Sequence, residues 1–166
     1  DALRIVSSPD GDGASKNYRV LGANLESTGA TNTDTDLTLN GATTGFGIAQ
    51  VAYTNSFANP APAGTRLFDV DADNNRLLQQ TNANAGTLAA IGPIGTFNDY
   101  GGFDISGGDN GMVLMSNRAL ATGTFSLFTV NLGTGAATAA GVASGTNEIG
   151  SGATASTDIR ALSIRF

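Results

Sequence analysis

The sequence predicts an all-β fold, an antiparallel repeat of three- to four-stranded units, on three observations. Apolar residues alternate over short runs, turn-forming residues bound those runs, and the runs recur at a roughly constant spacing. Alternation with period two places successive side chains on opposite faces of a strand. The runs are Ala2–Ser8 (ALRIVSS), Asn17–Leu21, Ile48–Thr54 (IAQVAYT), Arg66–Val70 (RLFDV), Arg76–Gln80 and Thr87–Ile91, then Gly102–Ile105, Met112–Ser116, Ser126–Leu132, Ala136–Ala140 and Ile159–Phe166. Gly, Asn, Asp and Pro separate them. Gly and Asn tolerate positive φ and Thr suits strands, so the abundance of these residues fits the same class. Ala prefers helices, but here it clusters with Gly and Thr, as in Gly135–Gly141, where small size serves close sheet packing.

With 166 residues and a net charge of −6, the chain is long enough for one core and too weakly charged to stay expanded. One domain, residues 1–166, is expected. Its lead strands begin near Leu3, Ile48, Gly102 and Ile159, a recurrence of roughly 45 to 57 residues that falls in the range of propeller blades. The units are then 1–47, 48–101 and 102–158, with a final strand at 159–166. In the second unit Thr65–Asp71 leads through a turn to a strand ending at Gly92. In the third, Phe125–Asn131 leads through a Gly-Thr-Gly turn to a strand ending at Gly141. Asn17–Val20 followed by Asp36–Gly41 forms a degenerate first copy.

These stretches resemble an uncharacterised bacterial family, the domain of unknown function numbered 4394, whose members look like β-propeller or propeller-derived repeats. The resemblance is carried by LRIVSS with NYRV, VAYTNSF, TRLFDVDADNNRLLQQ with GTLAAIGPIG, GGFDI and SLFTVNLGTGAAT. It implies no activity and no catalytic or binding residues. The segment that usually precedes the LRIVSS-like strand is absent, which argues against a ring closed within one chain. Closed rings have four to eight blades, and about three blades and a strand leave an open stack. Open faces and edges invite another chain, and the only Lys available to guard an edge is Lys16. Copies of the same protein are therefore the expected partners. Leu3 and Ile5 at one end, and Leu162, Ile164 and Phe166 at the other, are the assembly candidates. The final run IRALSIRF could instead close the sheet of its own chain.

Catalytic residues are scarce. No His and no Cys occur, which removes Ser-His-Asp and Cys-His nucleophiles, conventional zinc sites and disulfides. Only Glu26 and Glu148 are Glu, and no Asp pair is marked as an acid/base couple. No enzyme is expected, and no catalytic residue is assigned. Calcium is the one cofactor with a candidate site, at Asp69, Asp71 and Asp73 in the stretch DVDADNN. Against the EF-hand pattern Asn74 occupies the sixth position in place of Gly, and Gln80 the twelfth in place of Glu. A polar turn between LFDV and RLLQQ accounts for the same residues and is preferred. Ser8–Gly13 reads as a loop, Gly107–Gly111 as a hairpin turn, and Asp34 and Asp36 as part of a solvated linker. Most aromatics fall within strand patterns and are assigned to the core, while Tyr100, in a loop, is the one to test for ligand contact.

The pI of about 4.3 and the lack of a basic cluster exclude nucleic acid as a partner. No apolar run approaches the roughly 18 residues of a membrane span. The chain opens on Asp1, as after removal of a signal segment or inside a longer protein. One Lys, few Glu and many Asn and Thr match a secreted or cell-surface protein. The expected function is a non-enzymatic extracellular structural subunit of a filament or surface layer. The alternative is a propeller-type module binding a glycan, small ligand or calcium.

Overall fold

The computed structural model describes residues 2–7, 13–21, 31–55, 64–95, 97, 101–107, 113–119, 124–140, 148–149 and 161–164. Among them there is no helix, and the strands form three sheets. The first sheet is β1 (Ala2–Val6), β2 (Asn17–Leu21) and β3 (Asn32–Thr33), in that order and antiparallel. The second contains β4 (Thr38–Leu39), β5 (Ile48–Tyr53), β6 (Leu67–Asp71), β7 (Arg76–Asn82) and β8 (Thr87–Pro93). Its spatial order is β4-β8-β7-β6-β5, antiparallel except for the β4–β8 pair. The third has β9 (Phe103–Ile105), β10 (Val113–Arg118), β11 (Phe125–Val130) and β12 (Ala137–Ala139) in the order β12-β11-β10-β9, with β13 (Glu148–Ile149) also pairing β11.

The lead strands β1, β5 and β9 each form one edge of their sheet, with β4 preceding β5 in the second, and they are neighbours: β5 packs against β9 and against β1. Between the second and third sheets lies the larger core, with Phe68, Val70 and Leu77 on one side and Phe103, Ile105 and Met115 on the other. A smaller cluster of Leu37, Leu39, Phe46, Ile48, Leu78 and Leu88 covers the opposite face of the second sheet, and Val6 of β1 packs against it. The second sheet is therefore apolar on both faces. This explains why all five residues of β6 are buried instead of alternating.

Two elements depart from the repeat. Thr38–Leu39, expected in the first unit, pairs with Thr87–Leu88 and forms the outer strand of the second sheet. Leu37 and Leu39 are buried apolar residues that belong to the smaller cluster, so burial draws the strand across. Gly86, at φ 64°, permits this approach, because a Cβ there would overlap the carbonyls of Thr35 and Asp36. At the other end, residues 161–164 form no strand but lie against β9. The Ile164 amide donates to Asp104 Oδ2 at 2.6 Å, and a Cβ on Gly102 would overlap the backbone of Ala161 and Leu162.

Candidate functional site

The first sheet has two contrasting faces. Register pairs Leu3 with Val20 and Ile5 with Tyr18, which puts all four on one face. Leu3 is 49% exposed and Ile5 43%, while Val20 and Tyr18 are half-buried. No sheet covers this face among the described residues. The assembly candidates Leu3 and Ile5 thus sit together. Leu162 and Ile164 are half-buried beside β9 in their own chain, and Phe166 lies outside the described residues.

The opposite face of β1 carries Arg4, and a charge pointing inward requires partners. Its guanidinium donates to Asp34 Oδ2 at 2.5 Å, Asn17 Oδ1 at 2.9 Å, Asn84 Oδ1 at 3.0 Å and Tyr53 Oη at 3.4 Å. The side chains of Arg4 and Asp34 are 5% and 8% exposed. Burial opposes the Arg4 charge, but the hydrogen bonds to Tyr53 and Asp34 outweigh it and hold the guanidinium above its ordinary pKa. Arg19 reaches the other oxygen of Asp34 at 3.1 Å. Asn17 extends the network with its amide, donating to the carbonyls of Ala83 at 2.7 Å and Thr35 at 3.3 Å. Asp34 is thus a buried anion tying β1 to β2, not the solvated linker residue expected. Asp36 is paired too, with Lys16 Nζ at 3.1 Å.

Beside this network lies Asp69 of β6, which is fully buried. Its Oδ1 accepts from Gln80 Nε2 at 2.9 Å. Burial pushes its carboxyl up to about 7, against the lowering effects of Gln80 and the Arg4 charge.

Within the DVDADNN stretch Asp69–Asp71 end β6, and residues 72–75 form the β6–β7 hairpin turn. Asp71 is fully buried and its carboxylate is occupied by donors: Arg76 Nε at 2.6 Å, Gly47 N at 3.0 Å and Asn74 through both its backbone and side chain. Asn75 adopts φ 51°, the left-handed conformation that Asn tolerates. Asp73 is exposed. Among the described residues no group of three or more His, Cys, Asp or Glu is placed to share a metal ion. Tyr100, Phe57, Glu26 and residues 8–12 and 108–111 lie outside the described residues.

An open cleft of about 560 Å³ lies where the ends of the β5–β6 connection meet the β11–β12 turn. It is lined by Thr54, Asn55, Gly64, Thr65, Arg66, Leu132 and Gly133. The Arg66 guanidinium stacks 4.7 Å from the centroid of the Phe68 ring. No helix among the described residues is long and apolar enough to cross a membrane.

The sequence matches the family described as a domain of unknown function, DUF4394, over residues 1–152, and the chain belongs to that family. No curated protein and no solved structure matches it.

Sequence reasoning missed the Arg4 network, and it named Asp69 only as a calcium candidate or turn residue, not as a buried carboxyl paired with Gln80. The alternation of ALRIVSS does place Arg4 on the face of Val6, opposite Leu3 and Ile5, and that inward charge was the available signal. Nothing local names its partners, which lie 13, 30, 49 and 80 residues away.

Proposed function

We propose that this protein is a non-enzymatic structural subunit, secreted or held at the cell surface, that assembles with copies of itself into a filament or layer. The observation that carries this reading is the apolar face of Leu3, Ile5, Tyr18 and Val20 on the first sheet, with Leu3 and Ile5 exposed and no sheet over it among the described residues. The third sheet supports it. Its face turned away from the larger core carries half-buried Leu114 and Leu127 and, beside buried Phe125, Ile149, which is 37% exposed. Two different apolar faces at opposite ends of a row of sheets suit a head-to-tail contact, which propagates when it does not close. The adjacency of β1, β5 and β9 accords with propeller-like blades sharing an inner edge.

Sedimentation velocity over a concentration series, with electron microscopy, tests the reading on the intact chain. The wild-type protein should associate as concentration rises. Leu3→Asp combined with Ile5→Asp should remain monomeric with an unaltered circular dichroism melt. A wild-type protein that stays monomeric at high concentration would sink the assembly role.

The cleft around Arg66 favours a second reading, a module that binds an acidic glycan or another small carboxylate ligand. Arg66 would supply the charge, and Thr54, Thr65 and backbone groups the hydrogen bonds. Calorimetric titration with acidic oligosaccharides, and loss of the signal in Arg66→Met, distinguishes the two.

A further inference from the structure

The buried side chains of Asp69 and Gln80 are each half satisfied. Gln80 Nε2 donates to Asp69 Oδ1 at 2.9 Å, while Asp69 Oδ2 and Gln80 Oε1 are both buried and have no partner. Register explains why they meet. Asp69 faces Leu78 across β6–β7 and Gln80 faces Leu67, so the two are diagonal neighbours on one face. As an ion, Asp69 would leave two acceptor oxygens unpaired in an apolar setting, each costing the desolvation of a buried polar group. One hydrogen atom satisfies both.

We propose that Asp69 is a neutral carboxylic acid in the folded protein, its Oδ2–H donating to Gln80 Oε1 to complete a cyclic acid–amide pair, and that loss of this proton is a pH-sensitive switch at the junction of the first and second sheets. The proton is taken from water on folding and returned to water when the pair opens. The surroundings favour the neutral form. Leu78 and Leu88, directly across β7 and β8, belong to the smaller apolar cluster. The charged and titratable neighbours do not reverse the balance. From β1, Arg4 faces Asp69 but is already bonded to Asp34, which also takes Arg19 of β2. On β6 itself, Asp71 lies one pleat further along the same face and is paired with Arg76 of β7. From β5, Tyr53 shares the face and accepts from Arg4. The upward displacement of the carboxyl, to about 7, agrees with this balance.

The sign follows from the proton count. The folded state holds this proton above the pH at which an unfolded aspartate, with an ordinary value of 3.8, releases it. The stabilisation is therefore complete below about pH 4 and is lost as pH rises toward 7. Over that window the unfolding constant should rise tenfold per pH unit, about a thousandfold in all, relative to a variant that cannot ionise. Asp69→Asn is that variant: it keeps the shape and pairs amide with amide. Denaturant unfolding of both proteins from pH 4 to 8 gives the difference curve, in which the ion pairs of Asp34, Asp36 and Asp71 cancel.

A falling difference curve supports the switch, and parallel curves overturn it. If Asp69→Asn does not fold, carbon-13 NMR of aspartate-labelled wild-type protein decides instead. A carboxyl resonance still in its protonated position at pH 6 is expected. Complete ionisation of every aspartate by pH 5 would refute the pair.

Discussion

Replacing Arg4 with methionine keeps much of the side-chain volume but deletes the hydrogen bonds to Asp34, Asn17, Asn84 and Tyr53. Breaking a buried ion pair by removing one partner costs about 3–5 kcal/mol, because the remaining charge stays buried. Here Arg19 still holds Asp34 Oδ1 at 3.1 Å, which moves the value toward the lower bound. The stranded oxygens of Asn17 and Asn84 move it back, at about 1–3 kcal/mol for a fully unsatisfied group. A loss of about 3 kcal/mol is expected, or roughly 10 °C in melting temperature for a chain of this size. Arg19→Met is the internal comparison. That side chain is 30% exposed and makes one ion pair among the described residues, so its loss should cost less than about 1 kcal/mol. Urea unfolding at neutral pH measures both, and a cycle of Arg4→Met with Asp34→Asn should give a coupling of about 2 kcal/mol. Equal and small effects at Arg4 and Arg19 would show that the junction of the first two sheets does not depend on this charge.

Other expectations follow from the same geometry. Phe68→Ala, at a fully buried position in the larger core, should cost about 3–5 kcal/mol in denaturant unfolding. Asp71→Ala strips the acceptor from Gly47 N and Arg76 and should cost about 2–4 kcal/mol, while exposed Asp73→Ala should stay within about 0.5 kcal/mol. With the Asp71 oxygens already taken by donors, millimolar calcium should leave the melting temperature unchanged; a rise that disappears in Asp71→Asn would reinstate a cation site. Gly102→Val should displace residues 161–164 from β9, at about 1–3 kcal/mol, and accelerate tryptic cleavage after Arg160.

Strands were legible wherever local pattern alone fixes them. Ile48–Tyr53 shows alternating burial, and the polar run after Leu67–Asp71 forms the turn that its Asp and Asn residues require. The three lead strands emerged because each carries its own apolar run and borders its sheet. Hidden from view was everything that depends on contacts across sheets. Asp34 sits in a Thr/Asn-rich stretch that looks solvated until Arg4 and Arg19 are brought to it. Asp69 resembles a turn-proximal aspartate until both faces of its sheet prove apolar. Thr38–Leu39 was assigned by sequence order, whereas its place was decided by burial beside β8.

That crossing strand bears on how such chains can be cut and shuffled. A fragment beginning at residue 48 would retain the hairpins of the middle sheet but forfeit its parallel border, together with Leu37, Leu39 and Phe46 from beneath it. The boundary expected at residues 47 and 48 is therefore not a boundary between folding units. Recombination at that point would separate residues that stabilise one another, so inheritance of the first and second repeats as a single cassette is the arrangement the architecture favours.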